Sequence, residues 1–158
     1  MRHVLNSSLR TSGLLSLWMA LLFSSCALAS NGPNASLSAS DVVKAQLSAF
    51  QNNDAPTPDA GIAIAFTYAS PGNRQFTGPL SNFTAMLRQG YPELLNHRSH
   101  RLVKERLEAH QATIAVIIES RSREVFNYVF HLSLQYGEEC RGCWMTDSVV
   151  RESAGSAI

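Results

Sequence analysis

The chain has 158 residues, with 13 Lys+Arg against 12 Asp+Glu, enough for one domain with a proper core but too short for two ordinary domains beside a targeting segment. Arg2 and Arg10 lie in an N-terminal segment expected to be removed, so 11 basic residues would then face 12 acidic ones. A slightly acidic chain lacks the cation excess that releases counterions from nucleic acid, and no nucleic-acid partner is expected.

The first residues have the three parts of a secretory signal: basic Arg2 and Arg10, an apolar stretch from Leu14 to Phe23, and the small-residue site Ala27-Leu28-Ala29. Cleavage is expected between Ala29 and Ser30, so residues 1–29 form the leader and the mature chain is exported, to the periplasm or beyond. The apolar stretch is roughly half as long as a membrane-spanning helix requires, so no transmembrane span is expected. Ser24-Ser25-Cys26 after Leu22-Phe23 offers a second outcome, because it loosely resembles a bacterial lipoprotein box in which Cys26 would carry the anchor. Either way, Cys140 and Cys143 remain as a pair in an oxidising compartment, where they can form a disulfide.

Ser30 to Ser40 is small, polar and turn-forming, and reads as a flexible tether ahead of a domain over residues 41–152. Ser40 as cap, Asp41 in the first turn, and Val43, Leu47 and Phe50 on one face predict an amphipathic helix over Asp41 to Phe50. Thr57-Pro58-Asp59 restarts a helix, and the apolar run Ala60 to Ala69 reads as buried on nearly every side until Ser70-Pro71-Gly72 stops it. A third helix is expected over Leu80 to Gln89, with Phe83, Met86 and Leu87 as its inner stripe, Gly90 as its stop, and a turn from Tyr91 to Leu95.

After residue 98 the period becomes strand-like. Four runs separate: His100 to Ala109, Thr113 to Glu119, Val125 to Tyr136, and Cys143 to Arg151, joined by connections short enough for an antiparallel meander. Helices followed by a sheet define an α+β domain: three N-terminal helices packed on a curved four-stranded antiparallel sheet. In the third strand, Phe126, Tyr128, Phe130, Leu132, Leu134 and Tyr136 should face the helices. Val125, Asn127, Val129, His131, Ser133 and Gln135 should face water or a subunit partner. Residues 153–158 are expected to be a disordered tail.

Three helices wrapped by a curved antiparallel sheet resemble the cone-shaped nuclear transport factor two-like superfamily, which includes ketosteroid isomerases, scytalone dehydratase and SnoaL-like cyclases. Val42-Val43-Lys44-Ala45-Gln46-Leu47-Ser48-Ala49-Phe50, Met86-Leu87-Arg88-Gln89-Gly90-Tyr91-Pro92 and Gly142-Cys143-Trp144-Met145-Thr146-Asp147 are similar to an uncharacterised bacterial family within it, a domain of unknown function. The resemblance spans Asp41 to Val150. It implies a cone with an apolar interior, often dimeric through the outer sheet face, and it implies no activity, because members use different pocket residues or none.

The ketosteroid isomerases of that shape use a carboxylate base with a tyrosine and a protonated acid as oxyanion donors. The nearest analogues here are Asp147 and Tyr128. If Cys143, Met145 and Val149 face inward, Asp147 does too, and burial without a cation would make it a usable acid or base. If Trp144, Thr146, Ser148 and Val150 face inward, Asp147 is a solvated surface residue. Alternation alone does not choose between them.

The expected pocket lining is Tyr68, Tyr91, Tyr128, Phe130 and Met145, and Arg88 could meet an anion or simply point to water. His97, His100 and His110 lack metal-ligand spacing, so no metal site is expected, and His131 falls on the outer face of its strand. Cys140-Arg141-Gly142-Cys143 has the spacing of a redox pair, but it sits between strands rather than at a helix N-terminus, which favours a structural disulfide or two free thiols. No phosphate loop, nucleophile elbow or zinc-protease helix is present in the sequence, and no cofactor is implied. The expected function is a non-catalytic exported module that holds a small apolar ligand or a protein partner in its cone. The alternative is a pocket isomerase or dehydratase using Asp147 with tyrosine hydroxyls.

Overall fold

A computed structural model describes residues 32–152. The leader, Cys26, the Ala29–Ser30 junction and the tail from 153 lie outside the described residues.

The first helix, α1 (Ala39–Gln51), starts earlier than the sequence suggested. Its cap is Ser38 rather than Ser40: the Ser38 hydroxyl accepts from the Asp41 N–H, and the Asp41 carboxylate accepts back from the Ser38 backbone N–H. This reciprocal capping box satisfies orphan donors at both ends of the first turn. It also makes the last residues of the expected tether part of the domain, and Ala39 is buried. The helix buries Val42, Val43, Gln46, Leu47 and Phe50, a stripe with one polar member.

The second helix, α2 (Ala60–Thr67), packs against α1 through Gly61. Its entry differs from the proline-led start expected at Thr57-Pro58. Asp59 occupies the capping position in a left-handed conformation (φ 62°), and its carboxylate pairs with Arg88 at 2.6 Å instead of closing the helix end. Burial is also one-sided: Gly61, Ile62 and Ala65 are buried, whereas Ala63, Ile64 and Phe66 are only partly covered.

Among the described residues the helix count is four, not three. Ser70-Pro71 ends one helix and begins another, α3 (Pro71–Thr77): the Ser70 hydroxyl accepts from the Asn73 N–H, and Pro71 occupies the first turn, where its missing N–H costs nothing. The fourth helix, α4 (Leu80–Gly90), buries Phe83 and Leu87. Met86, expected on that inner stripe, is partly exposed instead. A short 3₁₀ turn, Pro92–Leu94, follows.

The sheet is a four-stranded antiparallel meander in the order β1 (Ser99–Leu107), β2 (Gln111–Glu119), β3 (Val125–Leu134) and β4 (Trp144–Glu152). The protein is therefore α+β, with the helices preceding the sheet. In β3, Tyr128, Phe130 and Leu132 are buried against the helices, as period-two alternation requires. Tyr136 departs from that set: it lies beyond the strand end, exposed, with its ring against His110. The core joins Val42, Val43, Leu47 and Phe50 of α1 to Ile62 and Ala65 of α2 and to Ile114, Val116, Ile118, Tyr128, Phe130 and Leu132 of the sheet.

Candidate functional site

Strand β4 decides where the site forms. Thr146 pairs with Leu132 and Ser148 with His131, so Asp147 is the extra residue of a β-bulge. A bulge reverses the inside–outside parity of the strand. Before it, Trp144 and Thr146 share the register of the inward-facing Leu134 and Leu132; after it, Val149 and Arg151 share that of Phe130 and Tyr128. Neither alternation read from the sequence holds along the whole strand.

Thr146 also fixes the sheet edge to the helices. Its N–H donates to the Tyr68 carbonyl at 2.8 Å and its carbonyl accepts from the Ser70 N–H at 2.9 Å, a parallel bridge that ties β4 to the start of α3. Between this edge, α1, α3 and α4 lies a cavity of about 150 Å³. Phe50, Phe83, Leu87 and Leu94 supply its apolar walls, and Phe76, Met86 and Tyr91 also line it. Phe76 is 91% exposed, an unusual state for a large aromatic side chain and one that leaves its ring free at the rim.

Four polar residues of the cavity, Gln46, Asn73, Tyr91 and Thr146, are hydrogen-bonded within the protein. Buried Thr146 donates its hydroxyl to Gln46 Oε1 at 2.7 Å, and buried Gln46 donates Nε2 to the Ala65 carbonyl at 3.1 Å. Asn73 donates Nδ2 to the Thr146 carbonyl at 3.1 Å, and the Tyr91 hydroxyl reaches the Val149 carbonyl. With their hydrogen bonds satisfied inside the protein, these groups make the cavity floor suited to apolar contents. Asp147 lines the mouth, exposed, and makes no hydrogen bond or ion pair among the described residues.

Of the residues expected in a pocket, Tyr91 and Asp147 line this one. Tyr68, Tyr128 and Phe130 are fully packed in the core instead. Met145 is buried at 2% exposure but shares the register of Ser133, on the other side of the strand from Thr146. The expected partnership of Asp147 with Tyr128 does not form. The carboxylate beside Tyr128 belongs to Glu93, from the turn after α4, and its Oε1 accepts from both the phenol and Arg151.

That cluster holds its charges firmly. Burial pushes the Glu93 carboxyl up, but hydrogen bonds from Tyr128, its own backbone N–H and Arg151 outweigh it, so the group lies below its usual range. Burial, followed by the bond to Glu93 and that residue's charge, holds the Tyr128 phenol well above its ordinary value. An ionised, doubly bonded carboxylate and a neutral phenol make a structural strut, not a general acid–base pair.

The other candidates have ordinary neighbours. Arg88 pairs with Asp59 and does not line the cavity. His131 is exposed on the outward sheet face, beside Thr113. His97 is buried, with Nδ1 against the Leu94 carbonyl and Nε2 against His100 Nδ1, each at 2.7 Å. Burial lowers the pKa of both rings; the Leu94 bond partly opposes this in His97, and the His97 charge reinforces it in His100. Cys140 and Cys143 are bonded Sγ to Sγ across a 5.5 Å Cα separation in the β3–β4 loop. The same loop carries Glu139, which pairs with Arg74 of α3.

Sequence reasoning missed Gln46, Asn73, Phe76, Thr77 and Thr146. Gln46 carried a signal, since a lone amide on the otherwise apolar stripe of α1 needs a buried partner. Phe76 carried no such signal, since Ser70-Pro71-Gly72 marks a helix stop as readily as a start.

The fold and site together define a small α+β domain with an apolar cavity between a bulged edge strand and three helices. Residues 34–155 match the model of the family described as Domain of unknown function (DUF4864), and the chain belongs to that family. No curated protein and no solved structure matches the chain. Among the described residues, no helix is long and apolar enough to cross a membrane.

Proposed function

We propose that this domain is a non-catalytic binding module that takes one apolar group of a small ligand into the cavity between β4, α3 and α4. The observation that carries the reading is the combination of a preformed apolar cavity with Phe76, 91% exposed, on its rim. An apolar cavity of about this size holds a single benzene-sized ring. Partly exposed Met86 adds an adaptable thioether to the same rim.

Export fits the sequence of the leader and the Cys140–Cys143 bond, which persists in an oxidising compartment. The helices-then-meander order is consistent with the cone-shaped nuclear transport factor two-like superfamily, a resemblance that implies an apolar interior.

Titration with fluorobenzene, followed by ¹⁹F NMR, tests the reading with a neutral probe of one ring. Saturable binding that weakens in Phe76→Ser and Met86→Gln is the expected result. A linear, non-saturating response equal in all three proteins would refute it.

A further inference from the structure

The mouth of the cavity carries an electrostatic asymmetry. Asp147 lines it as an exposed carboxylate with no ion-pair or hydrogen-bond partner among the described residues. Arginines on the adjoining elements have acidic partners of their own. Arg74, on the helix that forms one wall, is bound to Glu139 of the disulfide loop; Arg88, on the helix that forms the other, is bound to Asp59. Arg151, further along the same strand, is bound to Glu93. Among the described residues, no Lys, Arg or His lines the cavity.

The bulge matters for this placement. An ordinary β4 would send residue 147 to one face and leave its neighbours to the other. With the extra residue, the four consecutive residues Thr146, Asp147, Ser148 and Val149 all line the same cavity, Thr146 buried, Val149 partly covered, and Asp147 and Ser148 exposed. Bulges commonly re-aim a side chain in this manner. Phe76 adds a second cation-compatible element, since an ammonium over an aromatic face is attracted by the ring quadrupole.

We infer that the ligand is a small cationic amphiphile, an aromatic or branched aliphatic amine whose apolar group enters the cavity while its ammonium stays at the mouth beside Asp147. The inference rests on the binding reading above and adds the charge of the ligand to it. An anionic amphiphile of the same shape meets Asp147 without a compensating cation and is selected against, a discrimination achieved by repulsion as well as attraction.

The test compares 2-phenylethylamine, 2-phenylethanol and 3-phenylpropionate, which share a ring and differ in charge, by NMR titration of the exported domain at neutral pH. The amine is expected to bind up to about fivefold more tightly than the alcohol, the upper end for an exposed ion pair, and the carboxylate more weakly than either. Asp147→Asn, a substitution at an exposed position, should bring the ratio of amine to alcohol affinity down toward one. High salt should shrink it in the native protein. Equal binding of amine and alcohol overturns the charge assignment and leaves the apolar cavity reading standing. Failure of all three to bind overturns both. Much tighter binding of a short peptide with Phe beside Lys than of the amine would overturn the small-molecule assignment in favour of a protein segment.

Discussion

The buried hydroxyl of Tyr128 donates to Glu93 Oε1, joining the centre of β3 to the turn that follows α4. Arg151 of β4 donates to the same oxygen at 2.6 Å, so one carboxylate ties two strands to the helical layer. Glu93 is the sole acid in that turn, and its side chain is 8% exposed.

Removing either member of this link should destabilise the domain by different amounts. Tyr128→Phe loses a hydrogen bond to a charged acceptor and should cost about 1.5–2 kcal/mol. Glu93→Ala also strands a buried phenol without a partner and should cost about 3 kcal/mol. Urea unfolding of both variants checks the order; a Glu93 variant no less stable than Tyr128→Phe would contradict the strut.

Gly61 sits where α2 crosses α1, and a Cβ there would lie 2.0 Å from the Ala49 carbonyl oxygen and 2.7 Å from Asn53 Cα. Both obstacles are backbone, so the helices themselves must separate. Gly61→Ala should therefore cost about 2–3 kcal/mol or more, although alanine is the better helix former. A thermal melt that matches or exceeds the native protein would show that the helices give way freely.

The His97–His100 pair makes stability depend on pH. Both rings have depressed pKa values in the folded protein, so the unfolded chain binds protons more readily. Their contribution is intact above the unfolded value of about 6.5 and is lost as pH falls below it toward the folded values. Denaturant midpoints should drop between pH 7.5 and 5.5, and the His97→Gln/His100→Gln double variant should show a flatter dependence over that window, whatever its absolute stability.

The Cys140–Cys143 bond closes a small loop between β3 and β4. In the chain-entropy picture a loop of this size contributes about 2 kcal/mol. Because Glu139, next to Cys140, holds Arg74 of α3, a Cys140→Ser/Cys143→Ser variant should also raise hydrogen exchange at the amides of α3. Unchanged exchange there would mean that the loop and the helix are independent.

The sheet was legible chiefly through β3, whose set from Tyr128 to Leu132 shows period two without interruption, and through the short connections that join β1 to β2 and β2 to β3. The first and fourth helices were legible from their apolar stripes. The site was not, for two physical reasons. Its α3 wall starts with Ser70-Pro71, a pair that signals a stop for one helix and a start for the next, and the stop reading concealed Asn73, Phe76 and Thr77. Its β4 wall depends on the bulge at Asp147, and a bulge changes the facing of every later residue without altering composition. Glu93 was hidden by distance in sequence, since its partners Tyr128 and Arg151 lie 35 and 58 residues away.

The most direct test of the cavity reading is ¹³C-methyl NMR of the methionines during titration with fluorobenzene. Met86 lines the cavity, whereas Met145 is buried but does not line it, so one residue reports and the other serves as control. A saturable shift of the Met86 methyl with Met145 unmoved is the predicted result. Equal shifts at both, or movement at neither, would contradict a ligand site between β4, α3 and α4.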